Sequence, residues 1–315
     1  MNQENNPLVS IGLPVFNGED FLEKALDSIL KQSYKNIEVI VCDNASTDRT
    51  RTIIDTYRKN DNRIKYHRHD TNLGAAANYN STFELSKGKY FKWAAHDDVM
   101  HEDYIEQCVQ AMESDSSTSV VQSLVGQIDE NGTVTTHEYT GVDDIFSEDA
   151  SICTQYHTLM QKRGGWVRIF GVIRSDILKN TPLIDKYIGS DLTLLGELGL
   201  NGKVKDLDTV LFWRREHNRT STRGEFKARR KRLPWFDMTK TSNSLSFPEW
   251  KLTWEMFRSI SRQNIPLKVR IYCCRVIVGR MWIKKRLLAE DIFYAMTDLL
   301  KMLIPTKNNP ESKTT

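Results

Sequence analysis

The sequence predicts an α/β fold, a mainly parallel sheet flanked by helices, followed by a basic helical extension. Three observations predict it. Between residues 8 and 94, compact apolar runs alternate with stretches whose apolar residues recur every three or four positions. Repeated β-α-β units of this kind imply a parallel sheet with right-handed crossovers. Four successive predicted strands end in polar or turn residues, and ligands of such sheets bind beyond the carboxyl ends of the strands. The chain's 39% hydrophobic and 27% charged residues describe an ordinary globular protein.

Taken in order, Leu8 to Val15 reads as a strand. Glu19 to Lys31 reads as a helix with Phe21, Leu22, Ala25, Leu26 and Ile29 on one side. The β-branched run Ile37 to Cys42 is a buried strand, and Asp48 to Lys59 a helix with Ser46 or Thr47 as its cap. Arg63 to His67 is a short strand, Ala75 to Ser86 a helix and Lys89 to Ala94 a strand. Tyr104 to Glu113 is helical, Ser119 to Ile128 a strand, and Asn131-Gly132 a hairpin turn. An acidic loop at 137–148 precedes a helix at 149–163, and Gly164-Gly165-Trp166 breaks it before a strand over Val167 to Ile173. Asp191 to Leu200 is a helix capped by Ser190, and Lys203 to Arg214 a strand. From about Glu216 the chain turns basic, Trp-containing and helical. The expected domains are therefore 1–215 and 216–315.

Composition excludes several classes. No run of about 18 uncharged apolar residues is present, so no spanning helix is expected. Met1 to Asn6 lacks the basic and apolar regions of a secretory signal. The five cysteines are odd in number and lack metal spacing, which suits a reducing compartment and a cytoplasmic location. A dehydrogenase would carry Gly-x-Gly-x-x-Gly after the first strand, and Gly12-Leu13-Pro14-Val15-Phe16-Asn17-Gly18 does not. Charge is uneven: between Arg214 and Arg286 there are 20 Lys and Arg against 5 Asp and Glu, in a chain of net charge +3. That end is suited to an anionic surface or ligand.

The strand ends carry the chemistry. In order they are Pro14-Val15-Phe16-Asn17-Gly18, Cys42-Asp43-Asn44-Ala45-Ser46-Thr47-Asp48, Asn72-Leu73-Gly74 and His96-Asp97-Asp98. A buried strand that stops on two adjacent carboxylates needs compensation, which a divalent cation can supply. The ordered set resembles the nucleotide-sugar half of family-two glycosyltransferases, enzymes of the Rossmann-like GT-A fold, over about residues 8 to 215. That resemblance implies an inverting, UDP-sugar-dependent transferase acting on a glycan or lipid-linked acceptor.

It also implies roles. Asp43 would accept the uracil N3–H, while Pro14, Val15, Phe16 and Asn17 approach base and ribose. Asn72, Gly74 and Asn78 would line the nucleotide, and Asp97 would face the ribose. Asp98 would hold Mn²⁺ or Mg²⁺ in the family's DXD motif, with His217 as a further ligand and Arg214 or Arg215 on the diphosphate. Asp191 would deprotonate the acceptor hydroxyl, with Glu197 as the alternative. The family's usual Asp-Asp-Gly-Ser is here Asp43-Asn44-Ala45-Ser46, which leaves base preference open. The processive Gln-x-x-Arg-Trp motif is missing, and Arg214-Arg215-Glu216-His217 resembles the Arg-x-x-His ending of single-addition relatives.

The basic run Phe226 to Trp235 is read as a lid or phospholipid contact rather than a nucleic-acid site. Ile265 to Leu288 and Ile292 to Ile304 are basic and apolar-striped helices. They suit peripheral contact with an anionic membrane on its cytoplasmic face, through 226–304. Packing of these helices on the catalytic core is the alternative, and self-association stays open. A non-catalytic nucleotide-sugar binder would keep Asp43 and Asp98 without turnover.

Overall fold

The computed structural model describes residues 6–136, 151–161, 165–218, 232–239 and 245–303. The acidic loop expected at 137–148 and most of the basic run at 226–235 fall outside them. The first half alternates strictly: β1 (Val9–Val15), α1 (Leu22–Leu30), β2 (Ile37–Asp43), α2 (Thr50–Asn60), β3 (Ile64–Arg68), α3 (Ala75–Glu84) and β4 (Tyr90–Trp93). There follow β5 (Val99–Met100), α4 (Tyr104–Ser114), β6 (Thr118–Ile128), β7 (Val134–Thr136), α5 (Ile152–Gln161), β8 (Val172–Arg174), α6 (Ser175–Lys179), α7 (Ser190–Asn201) and β9 (Lys203–Arg215). The extension holds α8 (Leu233–Phe236), α9 (Pro248–Arg262), α10 (Leu267–Ile283) and α11 (Lys285–Leu303).

The strands form one sheet in the order β3-β2-β1-β4-β8-β6-β9-β5, with β7 beside β6. The first four are mutually parallel, as are β6 and β9, while β8, β5 and β7 run against their neighbours. The chain steps outward from β1 to β2 and β3, then returns to place β4 on the other side of β1. Strand order therefore reverses between β1 and β4, where an open sheet leaves a crevice for ligands. The two strands part after Gly12 pairs with Trp93. Pro14 lies just beyond that last pair, so its missing N–H leaves no gap in the ladder.

Seven consecutive buried residues in each of β1 and β2 reflect helices on both faces. Glu38 and Ser10 are polar members of these runs. Glu38 Oε1 accepts from Ser10 Oγ and from the Lys87 N–H at 2.8 Å, and Oε2 pairs with Lys65. One carboxylate thus joins β1, β2, β3 and the turn before β4. Burial acts to raise the Glu38 pKa, but Lys65, Ser10 and the Lys87 N–H outweigh it and hold it below the usual value.

The strand expected over Val167 to Ile173 is mostly a 3₁₀ helix, Gly165–Phe170, with β8 starting only at Val172. Side chains claim its backbone: Gln122 Nε2 donates to Val167 O at 3.1 Å, and Tyr104 Oη and Lys92 Nζ donate to Phe170 O. Arg168 is turned inward onto buried Asp206, with Nε to Oδ1 at 3.0 Å. A ladder strand could not satisfy these partners. Downstream, the break between the last two helices, expected at 289–291, falls instead at Lys284: α10 ends at Ile283 and α11 begins at Lys285.

The extension shares the core of the catalytic part. Leu252, Met256 and Ile260 of α9 and Cys273, Val276 and Ile277 of α10 pack with Tyr156 and Leu159 of α5 and Leu194 and Leu198 of α7. Leu252 lies so close to Gly189 that a Cβ there would approach its Cδ2 to 2.8 Å, and Gly189 has φ +88°. Arg280 pairs with Glu249 in the same buried layer.

Glu38→Ala is expected to lower unfolding free energy by about 2–3 kcal/mol, because it strands buried donors from two elements. The native pKa is depressed, so the wild-type advantage should be complete above the ordinary carboxylate range and fade as pH falls through the native value. Urea titrations of both proteins at several pH values measure it.

Candidate active site

The turns after β1 and β2 are laced together by side chains. Asn17 N–H donates to Ser46 Oγ at 2.9 Å, Gly18 N–H to Thr50 Oγ1 at 2.9 Å, and Glu19 N–H to Asp48 Oδ2 at 3.0 Å. Asn17 Oδ1 accepts from the Thr47 N–H at 2.9 Å. Asn17 and Ala45 both have positive φ, 50° and 63°. Ala45 stands where the resembled family carries Gly, so this turn keeps its left-handed geometry at a cost of roughly 1–2 kcal/mol. Asn44 makes the next tie: its Nδ2 donates to Asn72 Oδ1 at 2.8 Å, and its Oδ1 accepts from the Leu73 N–H at 2.8 Å. Gly74, at φ +85°, starts α3 beneath the Phe236 carbonyl. Phe16 is 44% exposed at the mouth of the crevice.

Asp43 is fully buried and its carboxylate is well occupied. Oδ1 accepts from the Ser46 N–H at 2.8 Å; Oδ2 accepts from Tyr66 Oη at 2.8 Å and from Arg68 Nη1. Arg68 also donates to Ser46 O at 2.9 Å and keeps a third of its side chain exposed. Asp43 therefore orients Arg68, which presents the accessible polar group at this end of the crevice. Nothing in the sequence marked Arg68, since its pairing depends on the β2–β3 register that sets it opposite Asp43.

On the other side of the crevice, the end of β9 meets the turn after β4. The Arg215 N–H donates to Asp98 Oδ1 at 2.8 Å, and its Nε donates to Asp97 O at 2.9 Å. His217 Nε2 lies 2.9 Å from Asp97 Oδ2 and its ring packs 4.8 Å from Phe21. A Cβ on Gly18 would meet the His96 ring at 2.8 Å, so His96 docks the β1 turn against the acidic pair. Burial, helped by the Asp97 charge, pushes Asp98 up to about 8. Burial pushes Asp97 the same way, but His217 and His96 outweigh it and hold it below the usual range. The Arg215 N–H, Arg214 and Lys92 act against the rise at Asp98 without cancelling it. Lys92 is fully buried nearby, and burial drives its own pKa down to about 7.

Asp191 opens α7. Its link to the pair comes through Tyr79, whose hydroxyl pKa is raised first by burial and then by Asp97, Asp98 and Asp191 together. Tyr79 is thus within electrostatic reach of all three acids, a position that α3 periodicity alone did not reveal. Glu197 points elsewhere: it is buried and paired with Arg262 of α9.

Two expected contacts are committed to the scaffold. Arg215 was expected on a diphosphate, but its guanidinium also donates from Nη1 to the carbonyls of Asp129 and Glu130, at 2.9 and 3.2 Å, and is buried. Arg214 differs: its guanidinium lies 4.9 Å over the Trp166 ring, and its charge acts to lower the Asp98 pKa. Asn78 was expected to line the nucleotide; its Nδ2 instead ties the carbonyls of Val15 and Cys42, at 3.4 and 3.0 Å. Among the described residues no group of three His, Cys, Asp or Glu side chains is placed to hold a metal. His217, expected as a further ligand of a cation on Asp98, has its Nε2 on the Asp97 carboxylate.

Residues 10–174 match the family described as Glycosyl transferase family 2, and the chain belongs to that family. It is 39% identical over 116 residues to an uncharacterized glycosyltransferase of Rickettsia prowazekii, covering 37% of this chain and 35% of that protein. It is 37% identical over 106 residues to the putative teichuronic acid biosynthesis glycosyltransferase TuaG of Bacillus subtilis, covering 34% and 42%. The chain thus spans well under half the length of the curated relatives it matches. In fold it is similar to Staphylococcus aureus TarS residues 1–349 in complex with UDP-GlcNAc, with TM-score 0.66 and 17% identity over 94% of this chain and 80% of that one. It is also similar to the mannosyltransferase PcManGT of Pyrobaculum calidifontis in complex with GDP-Man and Mn²⁺. The TM-score there is 0.51 and the identity 12%, over 97% and 89%.

If Arg215 serves the scaffold, Arg215→Met should cost about 3 kcal/mol of stability by leaving buried carbonyls unpaired. Thermal and urea unfolding measure it. An unchanged midpoint with weakened diphosphate affinity would return Arg215 to the ligand.

Proposed function

We propose that this chain is an inverting transferase that moves a sugar, a hexosyl or N-acetylhexosaminyl group, from a UDP-sugar to a hydroxyl of a glycan or lipid-linked acceptor. The observation that carries the reading is Asp98: a buried carboxylate beside a second one, in the turn between β4 and β5 at the switch-point crevice, fixed by the Arg215 N–H at 2.8 Å. Two adjacent carboxylates facing the crevice, one of them buried, fit a divalent cation, Mn²⁺ or Mg²⁺. When bound, the cation neutralises charge on the leaving diphosphate. The Mn²⁺ of the mannosyltransferase complex and the UDP-GlcNAc of the TarS complex support this choice of ligands.

The chain's own residues do the rest. Asp43 and Arg68 hold the end of the crevice where the uracil is read, with Arg68 offering donors to carbonyl oxygens. The turn from Pro14 to Asn17 and the Asn72-Leu73-Gly74 loop bring backbone close to base and ribose, and Asp97, held by His217, faces the ribose. Arg214 is the basic group for the diphosphate. Asp191 takes the acceptor hydroxyl proton while that oxygen forms its bond to sugar C1 and the C1–O bond to UDP breaks. The electron pair leaves on UDP, and one displacement inverts the anomeric centre without a covalent enzyme intermediate. Similarity to TuaG supports an acceptor in surface polysaccharide or glycoconjugate biosynthesis.

Asp98→Ala should abolish Mn²⁺-dependent UDP-sugar binding by calorimetry; unchanged affinity would refute the metal role. Asp191→Asn should keep donor binding while transfer falls by about 10²–10⁴-fold. A near-normal rate would remove Asp191 as the base.

A further inference from the structure

Most of the large hydrophobic side chains exposed among the described residues lie beyond residue 244. They are ordered along helices. On α10 the buried face is Cys273, Val276, Ile277 and Arg280, packed toward α5 and α9. The opposite face runs Leu267, Ile271, Arg275, Val278 and Trp282, at helical spacing, and every one of these is exposed. A shallow groove along it is lined by Leu267, Arg270, Ile271, Cys274, Arg275 and Val278. On α11, Ile292, Phe293, Met296 and Leu299 are likewise exposed, while Leu288 and Ala295 are buried. A surface helix of a globular protein normally turns its polar side outward, and here the outward side is apolar.

Charge distinguishes among occupants. Between Ile265 and Ala289 there is no Asp or Glu, and Lys268, Arg275, Lys284, Lys285 and Arg286 are exposed; further along α11, Glu290 is exposed and Asp298 half-buried, so the cationic character belongs to α10 and the start of α11. The Lys285 ammonium lies 4.4 Å from the centre of the Trp282 ring, and Trp282 is 73% exposed. A second copy docking face to face would set these cations against one another. A surface that is apolar below and anionic above satisfies both sets of groups: aliphatic side chains enter the acyl boundary, Trp282 sits at the headgroup level, and Lys and Arg reach lipid phosphates. No described helix is long and apolar enough to cross a membrane, so the contact is interfacial.

We propose that the outward face of α10 and α11 rests on an anionic lipid bilayer. This goes beyond the transfer reaction and stands independently of it. The layered packing of α10 on α9, and of α9 on the helix that carries Asp191, would hold the catalytic crevice at a set height over that surface.

The test is co-sedimentation of the full chain with vesicles of phosphatidylcholine alone or with added phosphatidylglycerol. Pelleting is expected with the anionic vesicles, weakening as salt rises. Ile271→Glu with Trp282→Glu should reduce it at least tenfold, and Lys284→Gln with Lys285→Gln and Arg286→Gln severalfold. Both variants should keep the wild-type unfolding midpoint and rate of UDP release, since none of these residues lies in the crevice. Failure to pellet with either vesicle, or equal pelleting of the variants, would overturn the proposal. So would a sedimentation-velocity dimer that Ile271→Glu with Trp282→Glu converts to monomer, which would assign the face to a second copy.

Discussion

The junction of β9 with the turn after β4 is the constraint on which the rest of the site depends. Two adjacent carboxylates at the end of a buried strand repel each other and resist desolvation. Arg215 fixes them from the backbone side, its N–H on Asp98 and its guanidinium on the Asp97 carbonyl, while His217 holds the Asp97 carboxylate. These groups come from a thirteen-residue strand paired with β6 on one side and β5 on the other. The acidic pair is therefore positioned by the sheet itself, and a ligand need not order it. Such preorganisation is what a charge-stabilising site requires.

The opposite wall is built differently. The β1 and β4 ladders part after one last pair, and the turns beyond them are held by cross-links from Ser46, Thr50, Asp48 and Asn44 rather than by strand pairing. Replacing the family's Asp-Gly by Asn44-Ala45 kept the turn and changed its wiring. Asn44, with both a donor and an acceptor, reaches the Asn72-Leu73-Gly74 loop in a way a carboxylate could not. The turn into α7 is clamped in place by Leu252 of the extension, packed against Gly189.

Much of this was legible in the sequence. The alternation of periods from Leu8 to Ala94 located four parallel strands; β1, β2 and β4 are buried on both faces and read as compact apolar runs, while the edge strand β3 is buried only at Ile64. The polar strand ends located the crevice. What escaped was set by contacts between distant segments. Arg68 acquires its role only from the β2–β3 register. Asn78 and Arg215 were given ligand roles by the family resemblance, yet Asn78 Nδ2 is used on the Val15 and Cys42 carbonyls and the Arg215 guanidinium on those of Asp97, Asp129 and Glu130. The 3₁₀ helix at Gly165–Phe170 carries an apolar pattern fit for a strand, and only Gln122, Tyr104 and Lys92 decide otherwise. In the extension the helical stripes were readable, but the face turned outward was not.

The central claim is that the crevice between β1 and β4 holds a nucleoside diphosphate, with a divalent cation on Asp98. The most direct measurement is a crystal structure with UDP and Mn²⁺, with anomalous data collected for manganese. The expected result is an anomalous peak within coordination distance of the Asp98 carboxylate and uracil density at the Asp43–Arg68 end. A nucleotide bound elsewhere, or manganese bound away from Asp98, would contradict it.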